Sequence, residues 1–314
     1  MHRGAIVDVQ LVIGAGAVGT ATALLLAEGG GRVRLVTRSG AGPEHPAIER
    51  VAADASDADA LSGLAEGVAV IYSCVGPAYP RWVTDWPPLA AALLRAAETS
   101  GALLLTTGNL YGYGAVDGPM TESLPLQPNT EKGQVRVRVW NDALEAHRAG
   151  RIRTAEVRSS DYLGAGAVTP MTLLVLPKVL AGKRASAPAD LDAPHSWTYT
   201  GDVARTLLAV AADPGSWGRA WHVPTGPPKS FRQVATRAAE LAGVPTPKLS
   251  AMPYPVLWVG GLVNPMARAA RETQYQFRKP FVLDSTAATA AFGIKPTPLD
   301  DALSETIADL RSRS

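Results

Sequence analysis

Six residues, Gly14-Ala15-Gly16-Ala17-Val18-Gly19, join the apolar run Val9–Ile13 to an Ala/Leu-rich stretch over residues 17–27. This G-x-G-x-x-G spacing sits where a strand turns into a helix. Gly14 permits the tight turn, Gly16 lets a diphosphate approach the backbone, and Gly19 lets the helix lie close on the strand. The N–H groups of the first helical turn, at Ala17 and Val18, then face the anion with the positive end of the helix dipole. A β-branched second strand, residues 32–37, completes the strand–turn–helix–strand context that gives the pattern its specificity.

The same alternation continues. Residues 57–65 read as a helix capped by Ser56 or Asp57, 68–74 as a strand, 89–99 as a helix, 102–107 as a strand, 132–149 as a long helix and 154–159 as a strand. Strands separated by helices imply an α/β fold with a doubly wound parallel sheet covered on both faces. Past residue 160 prolines become frequent. Helices are expected at 202–212, with Asp202 as its N-cap, and at 231–242 and 299–311, with short strands at 220–223 and 281–284. The expected organisation is a dinucleotide-binding part over residues 1–160 and a small C-terminal α-rich substrate lobe over 161–314 that returns elements to the sheet, the substrate lying between them.

Composition narrows the function. Hydrophobic residues are 46% and charged residues 18% of 314, enough apolar surface for a globular core. A net charge of +2 with no dense Lys/Arg block argues against nucleic acid. The first ten residues contain Asp8 and lack the apolar core of a secretory leader. No apolar run reaches the about 20 residues that a membrane span requires. The single cysteine, Cys74, reads as a small buried residue of a reducing compartment. A cytoplasmic location without a membrane partner is therefore expected. Oligomeric state stays open, a homodimer being the commonest closed assembly.

The tip of the second strand reads Val36-Thr37-Arg38-Ser39 and carries no acid for a ribose 2′-hydroxyl. Arg38 offers the donor fork suited to a 2′-phosphate, so the expected cofactor is NADP(H).

The turn, the strand end Cys74-Val75-Gly76-Pro77 and the later Asn109-Leu110-Tyr111-Gly112 resemble the short-chain dehydrogenase/reductase superfamily, in its extended or atypical, NAD-dependent epimerase/dehydratase-like branch. The resemblance runs on through Thr121-Glu122, Pro125, Pro128, Arg158, Gly164 and the segment from Tyr199 to Ala204. It implies a Rossmann-type sheet, with Asp54 near the adenine and Gly76 along the cofactor. It also implies a Ser or Thr that orients the carbonyl, matched by Thr107, and then a Tyr-x-x-x-Lys. At that place the chain reads Lys132-Gly133-Gln134-Val135-Arg136.

Two readings follow from this exchange. In one, Lys132 transfers the proton, as in the isoflavone-reductase-like branch that Lys-x-x-x-Arg resembles, while Arg136 contacts the cofactor. The chain is then an NADP(H)-dependent oxidoreductase acting on a carbonyl or hydroxyl of a small organic molecule. In the other, redox chemistry is lost, leaving a non-redox isomerase or cyclase, or an NADP(H)-binding sensor without turnover. Tyr111 is a third catalytic candidate, and Asn109 a carbonyl-orienting donor. Asp161, His195 and Trp197 are candidate substrate contacts. The five histidines (His2, His45, His147, His195, His222) show no metal-ligand spacing, so no metal is expected. The later aromatics Tyr254, Trp258, Tyr275, Phe277 and Phe281 read as core more readily than as a substrate wall.

Overall fold

The computed structural model describes residues 9–313, the side chains of residues 254 and 257 excepted. His2, Asp8 and the Tyr254 side chain therefore lie outside the described residues.

Seven parallel strands form the main sheet: β1 (Val9–Ile13), β2 (Arg32–Thr37), β3 (Ile48–Ala52), β4 (Val68–Ser73), β5 (Leu103–Asn109), β6 (Arg153–Ser159) and, after three short strands, β10 (Ala220–His222). Their order is β10-β6-β5-β4-β1-β2-β3. The chain first builds outward through β2 and β3, then crosses back to lay β4 on the other flank of β1. That reversal puts a crevice at the carboxyl ends of β1 and β4, where ligands of open α/β sheets bind.

Alternating side chains feed two layers. Leu11, Ile13, Ile71 and Leu104 face a core covered by α2 (Ala58–Leu64), α3 (Trp82–Ser100) and α4 (Glu131–Arg148). Val12, Tyr72, Leu103 and Leu105 face the opposite core, under α1 (Ala17–Glu28) and α6 (Thr200–Ala212). The α4 start is fixed by Thr130, whose hydroxyl accepts from the Gly133 N–H at 3.0 Å.

A third core, with Leu163, Leu176, Phe231 and Leu303, lies in the C-terminal part. It joins two small parallel sheets, β7 (Asp161–Leu163) with β9 (Trp197–Tyr199) and β8 (Ala185–Ala187) with β11 (Leu249–Ala251). Around them stand α5 (Leu176–Leu180), α7 (Phe231–Ala242), the α8–α9 hairpin (Tyr254–Val263 and Pro265–Arg271), α10 (Thr286–Phe292) and α11 (Leu299–Ser312). No helix among the described residues is long and apolar enough to cross a membrane.

Some local expectations need correction. α3 begins seven residues before 89, with Pro87 and Pro88 inside it. The carbonyls that lose their N–H partners there belong to the exposed Val83 and Thr84, where water can serve them. Residues 281–284 stay out of the main sheet and bridge separately to His195 and Met120. Asp202 lies inside α6, whose N-cap is Tyr199. Its carboxylate accepts instead from the Thr297 N–H and hydroxyl, both at 2.7 Å, and so anchors the chain leading into α11.

Candidate active site

Two cavities open along the carboxyl edge of the sheet and share Val75, Gly76 and Pro77 in their walls. The outer one, about 520 Å³, runs from Gly14 and Ala15 past Arg38 and Asp54 to Arg81. The inner one, about 490 Å³, begins at Gly16, Ala17 and Val18 and ends among aromatic side chains.

The glycine turn divides into three physical roles. Gly14 has φ +93, and a Cβ there would lie 2.9 Å from the Val75 Cα. A Cβ on Gly19 would lie 1.9 Å from the Gly14 carbonyl oxygen, so α1 approaches β1 only because that atom is missing. A Cβ on Gly16 would meet nothing within 4 Å. Its restriction comes from no protein atom, and it faces the open groove. Gly16 is also the N-cap of α1 and supplies no side-chain cap, which leaves first-turn N–H groups to a ligand.

At the outer end Arg38 is exposed. Asp54 Oδ1 accepts from the Ser56 N–H at 2.9 Å and its hydroxyl at 2.8 Å. Those bonds, with the Arg38 cation nearby, hold the Asp54 carboxyl below its ordinary range.

The inner cavity differs from expectation at its catalytic positions. Lys132 is buried but does not line the cavity. Its ammonium pairs with Glu272 and lies 4.7 Å from the centre of the ring of Tyr79, which does line the cavity. Thr107 does line it, and its hydroxyl donates to the Ser73 carbonyl at 3.0 Å. Arg136 lines it too, with one nitrogen shared between the Thr107 carbonyl (2.7 Å) and Glu156 (3.0 Å). Its Nε is buried without a hydrogen-bond partner.

Glu156 also accepts from Arg158 at 2.6 Å, and Arg158 donates to the Tyr113 hydroxyl at 2.8 Å. Tyr113 pairs with His222 Nε2 at 2.7 Å, and His222 Nδ1 lies 2.8 Å from the Asp284 carbonyl. Because a carbonyl only accepts, Nδ1 donates, and in the neutral ring Nε2 accepts from the Tyr113 hydroxyl. Burial holds the His222 pKa below the usual histidine value, in keeping with that neutral form.

His195 and Trp197 do not reach the cavity. His195 is stacked between Phe277 and Phe281, with ring centres at 5.4 and 5.5 Å, and its Nε2 lies 2.8 Å from Asp161 Oδ2. Trp197 donates to the Lys229 carbonyl. Both form the aromatic floor behind the wall, packed against Phe231 of the third core. Asp161, by contrast, faces the cavity.

Asn109 and Tyr111 also line it. Asn109 Oδ1 accepts from the Tyr111 N–H at 3.2 Å and fixes this turn. The Tyr111 hydroxyl meets Tyr79 at 3.4 Å and Gln276 at 3.5 Å. Burial, with Tyr79 and Asp161 beside it, raises its pKa well above the ordinary phenol value. Burial likewise pushes Tyr79 up to about 12 and raises Tyr162. Cys74, pushed up to about 12 by burial, remains a thiol beside Thr22.

The sequence reading missed Tyr79, Trp82 and Trp86, all in the cavity wall. Trp82 and Trp86 lie one turn apart at the start of α3, with Tyr79 in the short turn just before it, and this aromatic spacing after Gly76-Pro77 was the available signal. Val168, Met266 and Gln276 reach the cavity only through tertiary folding and left none.

Residues 10–223 match the model of the NAD dependent epimerase/dehydratase family. Comparison with curated proteins gave no match. Among solved structures the chain is similar to an epimerase from Methanothermobacter thermautotrophicus (18% identity, TM-score 0.82, covering 98% of this chain and 93% of that one). It is also similar to UDP-glucuronic acid 4-epimerase from Bacillus cereus in complex with NAD (16%, 0.78, 97% and 99%). A third is UDP-glucose 4-epimerase from Thermotoga maritima with UDP-glucose (16%, 0.78, 97% and 99%). At these identities the likeness is one of fold. With more than half its length matched by the family model, the chain belongs to the NAD dependent epimerase/dehydratase family.

Proposed function

We propose that the chain is an NADP(H)-dependent oxidoreductase acting on a carbonyl or hydroxyl of a small organic molecule, with residues 1–160 as the cofactor part and 161–314 as the substrate lobe. The observation that carries this reading is the pair of cavities meeting at Gly76, one end opening on Arg38 and the other on a carboxylate among phenols. The cradle suits a dinucleotide. Gly14, Gly16 and the first turn of α1 would hold the diphosphate, Arg38 the 2′-phosphate, and the region of Asp54 the adenosine. Arg136, with its orphaned Nε, would take a ribose hydroxyl. When bound, the nicotinamide supplies a hydride donor or acceptor.

The chain's own part is to orient the substrate oxygen and hold its proton. The cavity-lining phenols with raised pKa values stay protonated at neutral pH and serve as donors. Asp161 is the carboxylate in the cavity wall, backed by His195 and accessible on its other side. We assign it the proton transfer first expected of Lys132, which would instead position Tyr79.

NADPH consumption across a panel of ketones and aldehydes tests the activity. Asp161→Asn is expected to lower kcat about a hundredfold or more while leaving NADPH affinity unchanged. Turnover at the wild-type rate in that variant would remove the carboxylate from the chemistry.

A further inference from the structure

The inner cavity holds two charged side chains in its wall, Arg136 and Asp161. Arg136 is 5% exposed and committed to Glu156, which Arg158 shares. One carboxylate thus serves two guanidiniums in that buried cluster, and Arg136 turns its bonded donors to Glu156 and the Thr107 carbonyl, so the one anionic group among the described residues of the cavity wall is the Asp161 carboxylate. A nucleoside diphosphate would bring further negative charge to that carboxylate, with no free guanidinium or ammonium in this wall to receive it.

The nearest cations on the hairpin do not supply one. Arg268 donates to the Gly261 and Leu262 carbonyls at 2.9 and 3.2 Å. Arg271 donates to the Trp258 carbonyl and lies 4.4 Å from that ring's centre. Both are turned toward α8.

The mouth is apolar instead. Val168 and Met266 both line the cavity and remain 68% and 53% exposed. From Met266 the apolar surface continues into Leu262 and Val263 of α8, which packs on α9 and carries no charged residue. Trp82 and Phe281 stand farther in. The polar side chains Asp161 and Asn109 are less exposed, at the sheet's carboxyl edge where β5 ends and β7 begins.

From this distribution we infer that the substrate of this site is uncharged and amphiphilic. Its carbonyl or hydroxyl head lies at Asp161 and its hydrocarbon body runs along the aromatic wall to Val168 and Met266. This rests on the cofactor reading above for which oxygen reacts. It sets the chain apart from a protein that binds a nucleotide sugar in this space.

The test is calorimetry on the intact protein, with and without saturating NADP+, using methyl ketones with butyl, hexyl and octyl chains and, separately, UDP-glucose. Affinity is expected to rise about threefold to fourfold for each added methylene, with no binding of UDP-glucose. Val168→Lys, at the exposed rim, is expected to weaken the octyl ketone about fivefold or more and leave NADP+ affinity unchanged. Affinity flat with chain length, or UDP-glucose bound more tightly than any ketone, overturns the substrate class. A missing NADP+ isotherm overturns the cofactor reading alone, because the ketone series on the cofactor-free protein still decides the class.

Discussion

Glu156→Ala is expected to destabilise the protein by about 3–5 kcal/mol, the cost of leaving buried charge without its partner. Glu156, Arg136 and Arg158 are 2%, 5% and 4% exposed, so water cannot replace the missing carboxylate. Two guanidiniums would then face each other across the vacated space. The site also has no slack: a Cβ on the neighbouring Gly108 would lie 2.7 Å from the Glu156 carboxyl carbon. Urea unfolding with linear extrapolation measures the loss, and Glu156→Gln, which keeps the volume and one acceptor, should lose less. A Glu156→Ala protein within about 1 kcal/mol of wild type would mean that the arginines find water or other partners, contrary to this burial.

Gly16→Val is expected to do the reverse, sparing the fold and abolishing the ligand. The backbone at Gly16 has φ −72 and ψ −173, which any residue adopts, and its Cβ direction is empty of protein atoms. Valine therefore costs little in the unliganded protein, while its methyl groups occupy the groove that the diphosphate needs. Dinucleotide affinity should fall about a hundredfold or more, equivalent to about 3 kcal/mol, with the unfolding midpoint unchanged. Gly19→Val is the contrast: its Cβ would collide with the Gly14 carbonyl, so the fold itself should suffer. Unimpaired binding by Gly16→Val would mean that the open space at residue 16 serves no ligand.

Sequence legibility followed the range of the forces involved. Strands such as Val9–Ile13 and Val68–Ser73 are buried on both faces and announce themselves as apolar runs. β3 was missed because it is an edge strand: Glu49 and Arg50 are exposed, and only Ile48 is buried. The glycine turn was readable because each constraint acts over a few bonds. Motif position placed Lys132 and Arg136 one turn apart on the right helix. It could not say that Glu272, 140 residues later, would hold the lysine beside Tyr79. His195 and Asp161 were both noticed, but that His195 would be enclosed by Phe277 and Phe281 while Asp161 lines the cavity depends on contacts with residues distant in the chain, which leave no local pattern.

The central claim is that this crevice grips a nicotinamide dinucleotide and that Arg38 reads its ribose phosphate. Calorimetric titration of the wild-type protein with NADPH and with NADH, in phosphate-free buffer, tests it most directly. The account predicts saturable binding with NADPH tighter by about tenfold to a hundredfold, a margin that Arg38→Ala removes. Absence of binding heat at several temperatures for both dinucleotides, or equal affinity for the two in the wild type, would contradict it.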